Sequence, residues 1–312
     1  MRTNPFRDIY DNKDYHSYNN NWFPNIIDIE LTNNCNLSCN MCARQCMTRD
    51  KGFMDEDLFR AIIDETAPEL TPIRLIGWGE PFLHPKIIDF CKYAKVVKKI
   101  TDIKKLTEAE TPLHITTNGQ LITEKQMKEL VNLGLDSIVF SMQGATKEGY
   151  EKMRVGSSYD KLEENIKKLI KIRGDKERPY IHISSTMTSE TPQEVESFKK
   201  YWEGIVDSVG IGITQPVSAG NAGYTNYRPC TEVFHKILIK WDGRVSPCCN
   251  DCNNDLVIGN IWEKNIKQPS NKIIDIWKDN PILEAIKILL KNNKHRNLSL
   301  CKNCLGAYND FI

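Results

Sequence analysis

The stretch Leu31-Thr-Asn-Asn-Cys-Asn-Leu-Ser-Cys-Asn-Met-Cys42 is the most informative part of this chain. Within it, Cys35, Cys39 and Cys42 have the spacing C-x3-C-x2-C. Because [4Fe–4S] clusters are normally held by four cysteine sulfurs, three thiolates on one short loop can ligate three irons and leave the fourth iron open. An open coordination position is typical of a catalytic metal site rather than a structural one. The triplet alone leaves a zinc knuckle or a redox-active cysteine pair as alternatives.

Length and charge exclude several other classes of protein. The chain has 312 residues, enough for one large or two ordinary domains, and its 42 Lys and Arg residues nearly balance its 41 Asp and Glu residues. This balance gives no electrostatic footprint for nucleic acid or an anionic membrane. No run of 18 apolar residues and no signal-peptide pattern is present, so we expect a soluble, cytoplasmic protein. In that setting the 11 cysteines favour metal binding over disulfides.

Strand and helix patterns alternate along most of the chain. The strands are predicted at 25–32, 73–78, 113–117, 136–143, 180–187 and 207–214. The helices are predicted at 55–67, 84–98, 123–133, 147–172 (one long or two short) and 191–203, with a polar insertion at 98–110. This alternation predicts an α/β fold with a parallel sheet and right-handed crossovers, and six units suit a partial (β/α)6 barrel.

The composition changes after residue 216, where cysteines, tryptophans and short strands replace the alternating pattern. We therefore expect three regions: an N-terminal extension at 1–24, the partial barrel at 25–215, and a small α+β cysteine-rich domain at 216–312. Residues 220–227 have the composition of a linker.

Polar and glycine residues end the predicted barrel strands, where barrel active sites are built. The second strand ends in Gly77-Trp-Gly-Glu-Pro81, whose glycines allow close backbone approach and whose Glu80 offers a carboxylate. The next exits carry Thr117 and Asn118, then Ser141-Met-Gln-Gly144. The fifth strand ends in Ser184, Ser185 and Thr186.

The triplet followed by Gly77-Trp-Gly-Glu-Pro81 resembles the signature of the radical S-adenosylmethionine (radical SAM) superfamily, although Trp78 interrupts its double glycine. The resemblance implies that SAM chelates the open iron and is cleaved to a 5′-deoxyadenosyl radical, which removes hydrogen from an unreactive C–H bond. It also implies a set of SAM contacts: Gly77, Gly79, Glu80, Asn118, Ser141, Gln143 and Arg154. Arg154 would pair with the SAM carboxylate through a charge-assisted bond, or else be a solvated helix residue. Met41 would cover the adenine.

The C-terminal cysteines resemble a second motif. Cys230, Gly243 and Cys248 have the spacing C-x12-G-x4-C, which is similar to the opening of the SPASM/Twitch extension, and Cys301-Lys-Asn-Cys304 follows. The shorter Twitch form fits this pattern better. It implies an auxiliary [4Fe–4S] cluster ligated by Cys230, Cys248, Cys301 and Cys304. A structural zinc site held by the same four thiolates is the alternative.

Four cysteines remain. Cys249 directly follows a predicted ligand and is a candidate donor of a hydrogen atom to a substrate radical, or a spare member of a Cys-Cys pair. Cys46 and Cys252 are interpreted as bystanders, Cys252 also as an alternative ligand. Cys91 is predicted to be a small buried hydrophobe.

The family resemblance suggests a radical SAM oxidoreductase or epimerase that acts on a polyhydroxylated small molecule of the sugar or aminocyclitol type. A substrate radical that loses a proton and passes its electron to the auxiliary cluster would give a ketone, whereas hydrogen return from Cys249 would give an epimer. A dehydrogenase also needs a base or a hydrogen-bond partner for the hydroxyl, and the polar residues near the ligands in sequence are Arg228, His235, Asp242 and Asp251, none of which stands out.

Two other hypotheses remain. One is modification of a ribosomally synthesised peptide, which the short segment before the first strand disfavours because it leaves little room for a peptide-recognition domain. The other is a metal-binding electron carrier without turnover, which leaves Glu80 unexplained. An enzyme of the first kind implies a reducing partner such as flavodoxin or ferredoxin.

Overall fold

The computed structural model describes residues 2–6, 21–105, 112–187, 190–213, 230–263, 268–302 and 304, with side chains left undescribed at 98–105 and 213. Within these ranges, nine strands form one sheet in the order β6-β5-β4-β3-β2-β1-β7-β8-β9. The strands from β6 to β7 are parallel, and β8 and β9 are antiparallel additions. The predicted α/β fold with a partial barrel is confirmed. None of the described helices has the length and apolar character needed to cross a bilayer.

The sheet strands are β1 (Ile26–Ile29), β2 (Ile73–Leu75), β3 (Leu113–Thr117), β4 (Ser137–Gln143), β5 (Tyr180–Met187), β6 (Ser208–Ile213), β7 (Lys236–Ile239), β8 (Arg244–Ser246) and β9 (Gly259–Asn260). A separate hairpin pairs β10 (Trp262–Glu263) with β11 (Gln268–Pro269). The α-helices are α1 (Glu56–Thr66), α2 (Ile87–Lys105), α3 (Glu124–Leu133), α4 (Lys147–Met153), α5 (Tyr159–Arg173), α6 (Pro192–Glu203), α7 (Ile273–Trp277), α8 (Pro281–Lys291) and α9 (Ser299–Lys302).

The second helix differs most from its prediction. The polar insertion was predicted at 98–110, and this prediction is wrong for residues 98–105, because α2 continues through Lys105. At its other end, the helix begins at Ile87 rather than at His84. Lysine is a good helix former, so a polar lysine-rich stretch can extend a helix that starts on an apolar face. Residues 106–111 lie outside the described ranges.

The predicted helical region 147–172 forms two helices rather than one. Gly156 lies between them with a φ of +92°, a conformation that favours glycine and ends the helical path. Ser158 then caps the N-terminus of α5 by accepting a hydrogen bond from the backbone N–H of Lys161.

The two faces of the sheet differ in polarity. Residues such as Ile27, Ile29 and Ile115 pack in the hydrophobic core. Because side chains alternate along a strand, the residues between them point to the opposite, inner face. That face carries the following residues: Asp28 and Glu30 at β1, Arg74 on β2, His114 and Thr116 on β3, Ser137 and Ser141 on β4, His182 and Ser184 on β5, and Ser208 on β6. Parallel sheets are normally apolar on both faces, so this polar surface indicates a site.

The sheet continues across the predicted boundary near residue 216. Strand β7 belongs to the C-terminal region, yet it pairs in parallel with β1, with Ile26 opposite Lys236 and Ile29 opposite Ile239. The sheet therefore has no break at the predicted domain boundary, and the division of the chain at 215/216 stays a prediction. The predicted linker at 220–227 lies outside the described residues.

A buried ion pair links the cysteine loop to the C-terminal region. Glu30, at the end of β1, is fully buried and makes a bidentate contact with Arg49, with N–O distances of 2.7 and 2.6 Å. The Nε of Arg49 donates to the carbonyl of Cys252 at 2.6 Å. The backbone N–H of Trp78 also donates to Glu30, at 3.0 Å. Glu30 and Arg49 together therefore connect four segments: the end of β1, the loop that carries Arg49, the second strand exit and the loop that carries Cys252.

A second buried pair fixes the loop that Arg49 contacts. Lys240 and Asp251 are both fully buried, and the Nζ of Lys240 lies 2.9 Å from Asp251 Oδ2. The same ammonium donates to Asn254 Oδ1 at 2.7 Å. Thr48 and Asn253 make a further contact, in which the backbone N–H of Thr48 donates to the Asn253 side chain at 2.8 Å. The 250–256 loop is thus attached both to β7 and to the cysteine loop.

Replacing Arg49 by methionine is expected to destabilise the apoprotein by about 3–5 kcal/mol, because Glu30 would be left as an uncompensated buried charge. Denaturant unfolding measures this free energy. The control is Arg60→Met, which removes an exposed i,i+4 pair with Glu56 and should cost about 1 kcal/mol or less. Adding Glu30→Gln to Arg49→Met should recover part of the loss. Equal unfolding free energies for the Arg49 and Arg60 variants would contradict this account.

Candidate active site

A cavity of about 680 Å³ lies at the carboxyl ends of the barrel strands. Its volume falls in the usual range for small-molecule sites. The structure places ten residues of the predicted site on its walls: Cys35, Cys39, Cys42, Gly77, Gly79, Glu80, Asn118, Ser141, Arg154 and Cys304. Met41, the residue predicted to cover the adenine, also lines it.

The cysteine loop is anchored to the segment that carries Arg154. The backbone N–H of Ser38 donates to the carbonyl of Val155, and that of Asn40 donates to the carbonyl of Met153, both at 2.9 Å. The side chain of Asn118 reaches the loop from β3, where its amide donates to Asn36 at 2.9 Å and contacts Cys35 Sγ at 3.8 Å. The cysteine loop is thus held by the exit of β3 and by the segment at the end of α4.

Glu80 is buried and bonded to protein donors. One carboxylate oxygen accepts from the hydroxyl of Thr117 at 2.7 Å and from the N–H of Phe82 at 3.1 Å, and the other accepts from the N–H of Asn118 at 2.7 Å. Burial raises the pKa of Glu80, while these hydrogen bonds and the charge of Arg154 act in the opposite direction. Glu80 therefore ties the second strand exit to the third, and its contact with SAM stays a prediction.

The glycines on either side of Trp78 allow the second strand exit to approach the first. A Cβ on Gly77 would lie 2.5 Å from Glu30 Cβ, and one on Gly79 would lie 2.2 Å from the carbonyl oxygen of Thr32. Both distances are too short for any side chain, so glycine is required there by the adjacent backbone and by Glu30.

Arg154 and Gln143 have different positions relative to the cavity. Arg154 caps the C-terminus of α4 and donates from Nη2 to the carbonyl of Met142 at 3.3 Å. Its buried Nε has no hydrogen-bond partner among the described residues. Gln143 is buried and accepts from the hydroxyl of Thr186 at 2.9 Å, and it is not among the residues that line the cavity.

The residues around the triplet fit a [4Fe–4S] cluster with SAM. All three cysteines are free thiols on one cavity wall, and the Asn118 amide lies beside Cys35. Burial raises the pKa of Cys35 and Cys39, and iron binding would displace their protons. Among the described His, Cys, Asp and Glu side chains, no three are placed to hold a single metal ion. A cube needs a different arrangement, since each cysteine ligates its own iron.

The second group of cysteines adjoins the same cavity. Burial raises the pKa of Cys230 to about 12, and nearby Cys249, Glu232 and Cys304 contribute. Burial likewise raises the pKa of Cys301 to about 11, with a contribution from Cys304. The charges of these thiols act on one another, which indicates that Cys230, Cys248, Cys301 and Cys304 lie in the same region, and their ligation of one cluster stays a prediction. Cys304 itself lines the cavity and accepts a hydrogen bond from the Asn250 side chain at 3.5 Å.

The remaining cysteines are dispersed. Cys249 is exposed, and the charged groups that act on its thiol are Lys236, Glu232 and Asp28. Cys252 lines the cavity, whereas Cys46 is exposed. The prediction for Cys91 is confirmed: it is fully buried in α2, and burial raises its pKa to about 12.

Of the residues considered as a base or hydrogen-bond partner, the three that the structure describes, His235, Asp242 and Asp251, do not line the cavity. Asp251 is buried against Lys240, and Asp242 pairs with Arg244 at 3.2 Å. His235 is fully buried, with its Nδ1 3.0 Å from the side-chain amide of Asn21. Arg228 lies outside the described residues.

Sequence reasoning missed several residues that line the cavity. Thr116 lies two residues before Asn118, so strand alternation could have placed both side chains on the same face. The loop residues Asn250, Asn253 and Asp255 also line it. No local signal in the sequence points to that loop, because tertiary contacts with Arg49 and Lys240 bring it to the cavity.

Comparison with known proteins agrees with this site. Residues 29–201, more than half of the chain, match the model of the Radical SAM superfamily, and residues 230–305 match that of SPASM, an iron–sulfur cluster-binding domain. A tungsten-containing aldehyde ferredoxin oxidoreductase cofactor-modifying protein of Pyrococcus furiosus is 29% identical over 80% of this chain and 79% of its own length. An S-adenosyl-L-methionine-dependent 2-deoxy-scyllo-inosamine dehydrogenase of Niallia circulans is 24% identical, over 89% and 92%.

Solved structures share the fold. BtrN, crystallised with AdoMet and 2-DOIA, superposes with a TM-score of 0.60 at 20% identity and covers 92% of this chain and 94% of its own. SuiB of Streptococcus suis bound to S-adenosylmethionine gives 0.66 at 16% identity, over 97% and 78%. The cysteine triplet, the cavity and the matched family models lead to one conclusion: the chain belongs to the radical SAM superfamily and carries a SPASM-type iron–sulfur domain, with [4Fe–4S] clusters and SAM as its cofactors.

Proposed function

We propose that this enzyme oxidises a hydroxyl-bearing carbon of a polyhydroxylated small molecule, of the sugar or aminocyclitol type, to a ketone. The observation that carries the proposal is the polar inner face of the barrel, where the hydroxyls of Thr116 and Ser141 line the cavity that also holds the cysteine triplet. The dehydrogenase relative from Niallia circulans, which aligns over most of both chains, supports the same substrate class.

The two cysteine groups have different parts in the proposed chemistry. When bound, the triplet cluster with SAM supplies a hydrogen-abstracting radical, and the second cluster supplies an electron acceptor. Cys35, Cys39 and Cys42 hold the first cluster, and Arg154 offers a cation to the SAM carboxylate. Asn118 and Glu80 orient the strand exits around them.

The position of the second cysteine group supports oxidation. An alcohol that becomes a ketone gives up one hydrogen atom, one proton and one electron, so an electron acceptor must lie near the substrate. Cys304 lines the cavity and belongs to the group of Cys230, Cys248 and Cys301. We further propose a one-electron reducing partner, such as flavodoxin or ferredoxin.

Epimerisation is the second candidate, and Cys249 is the observation that favours it. Cys249 is an exposed residue, but burial raises the pKa of its thiol, which lies near Asp28 and Lys236. A thiol that faces the substrate radical would return a hydrogen atom to its opposite side. Support for the third candidate, peptide modification, is weaker. It consists of a likeness in fold, at 16% identity, to a structure of SuiB bound to the precursor peptide SuiA.

Anaerobic reconstitution should give about eight iron and about eight sulfide ions per chain, as expected for two [4Fe–4S] clusters. Cys301→Ala combined with Cys304→Ala should lower both counts to about four. Elemental analysis provides the measurement. About four irons together with zinc in the unmodified protein would contradict an auxiliary cluster.

Cys35→Ala should abolish formation of 5′-deoxyadenosine from SAM under reducing conditions, because the triplet would lose one of its three iron ligands. Chromatography of the quenched reaction measures the product. The matched control is Cys46→Ala, which removes an exposed thiol of the same loop and should preserve product formation. Equal loss in both variants would argue against the triplet as the cluster site.

Substrates can be sought with a panel of sugars and cyclitols led by 2-deoxy-scyllo-inosamine, scored by stimulation of 5′-deoxyadenosine formation.

With an active polyol in D2O, a dehydrogenase should produce a ketone, and Cys249→Ala should turn over at a rate within about twofold of the unmodified enzyme. An epimerase should instead incorporate solvent deuterium at carbon and lose both turnover and deuterium with Cys249→Ala. Mass spectrometry separates the two outcomes, and a panel without any active polyol would favour the peptide alternative.

A further inference from the structure

The cavity contains a threonine hydroxyl whose direction is controlled by a buried histidine. Thr116 lines the cavity, and its Oγ1 lies 2.8 Å from His114 Nε2. The other ring nitrogen, Nδ1, lies 2.7 Å from Ser137 Oγ. The three side chains form a continuous chain of hydrogen bonds on the inner face of β3 and β4.

The surroundings of His114 keep the ring neutral. The residue is 8% exposed, and Phe6 packs edge-on against it with ring centroids 5.5 Å apart. Burial, with contributions from Arg74 and His182, lowers the pKa of His114 to about 3. A neutral imidazole has one N–H and one acceptor nitrogen. One of the two flanking hydroxyls must therefore donate to the ring while the other accepts from it.

The result is a preorganised neutral group facing the cavity. Among the described residues the hydroxyl of Thr116 bonds to His114 alone, so its other hydrogen-bonding directions are left for a ligand. The charged groups beside His114 on the neighbouring strands, Arg74 and Asp28, pair with each other through a bidentate contact at 2.6 and 2.7 Å. A neutral hydroxyl suits another hydroxyl, whereas a ligand carboxylate or ammonium gains more from an ionic partner.

We propose that Thr116, oriented by His114, binds a hydroxyl of the substrate and so selects a polyol and sets which carbon faces the cysteine triplet. The inference rests on the proposed function and adds a specificity residue to it. His114 is a positioning residue: proton storage on its ring is strongly unfavourable in this environment, so the chain binds the hydroxyl without acting as its base.

The test uses the reconstituted enzyme and the most active compound of the polyol panel. Thr116→Val removes the hydroxyl at similar shape, and it should raise the polyol concentration for half-maximal 5′-deoxyadenosine formation about tenfold, the usual effect of one lost hydrogen bond. Thr116→Ser retains the hydroxyl and should stay within about twofold. The SAM dissociation constant, measured by equilibrium binding, should be the same in all three proteins.

A double-mutant cycle separates positioning from simple packing. His114→Phe keeps a ring next to Phe6 but removes the partner of Thr116, so it should raise the half-maximal polyol concentration as well. Adding it to Thr116→Val should cause little further change, because both remove one interaction. If the two substitutions raise the half-maximal polyol concentration additively, His114 does not act through Thr116. If His114→Phe does not fold, Thr116→Val alone tests whether the Thr116 hydroxyl binds the substrate.

The outcomes distinguish the inference from the function on which it rests. If no polyol stimulates the unmodified enzyme, the proposed function and the hydroxyl site both fall. If a polyol stimulates the unmodified enzyme and Thr116→Val equally, only the hydroxyl site is overturned. A weaker affinity for SAM in Thr116→Val would assign Thr116 to the cofactor instead.

Discussion

The buried carboxylate of Glu30 is the constraint on which the rest of the site depends. It lies at the end of β1, immediately before the cysteine loop, in a position where an unpaired charge would be very costly. Arg49 neutralises it and at the same time holds Cys252, while the N–H of Trp78 completes its hydrogen bonds. The first strand, the cysteine loop, the second strand exit and the C-terminal loop are therefore positioned by one charge and its partners.

The contrast between the two faces of the sheet explains how one fold provides both stability and chemistry. The outer face packs against the helices and contributes the hydrophobic core, to which residues such as Ile29 and Ile115 belong. The inner face has less apolar surface and instead carries hydroxyls, the histidines His114 and His182, and paired charges. Because its ionic groups neutralise one another, the inner face offers hydrogen bonds without a strong net field.

Local pattern was enough to predict the six barrel strands and the helices between them, but it did not locate the strands and helices of the C-terminal region. The predicted β5 has the observed bounds, and Thr191, predicted as the first residue of a helix, is the N-cap of α6. The failures have physical causes that a local window does not contain. Lys98–Lys105 is helical because good helix formers continue an established helix. The close backbone approach predicted for Gly77 and Gly79 is to Glu30 and Thr32, which a short sequence window does not reveal, and the contact of these glycines with SAM stays a prediction.

The site residues likewise fall into those that the local sequence predicts and those that depend on distant parts of the chain. The triplet and Glu80 could be found from spacing, because their motif is contiguous. Arg49 and Lys240 could not, since nothing near them in sequence predicts a buried partner more than ten residues away. Thr116 lay within reach of strand alternation, but its link to His114 depends on side-chain rotamers that a sequence does not specify.

The cavity walls also impose an order on biosynthesis. Cys35 and Glu80 come from the first third of the chain, whereas Asn253, Ser299 and Cys304 come from its last quarter. A ribosome releases the barrel segments well before these later walls, and domains generally begin to fold in that order. A nascent chain would thus expose its cysteine triplet without the enclosure that separates a reactive radical from water. This geometry therefore favours insertion of the clusters after synthesis, when the early and late segments of the chain have both formed the cavity.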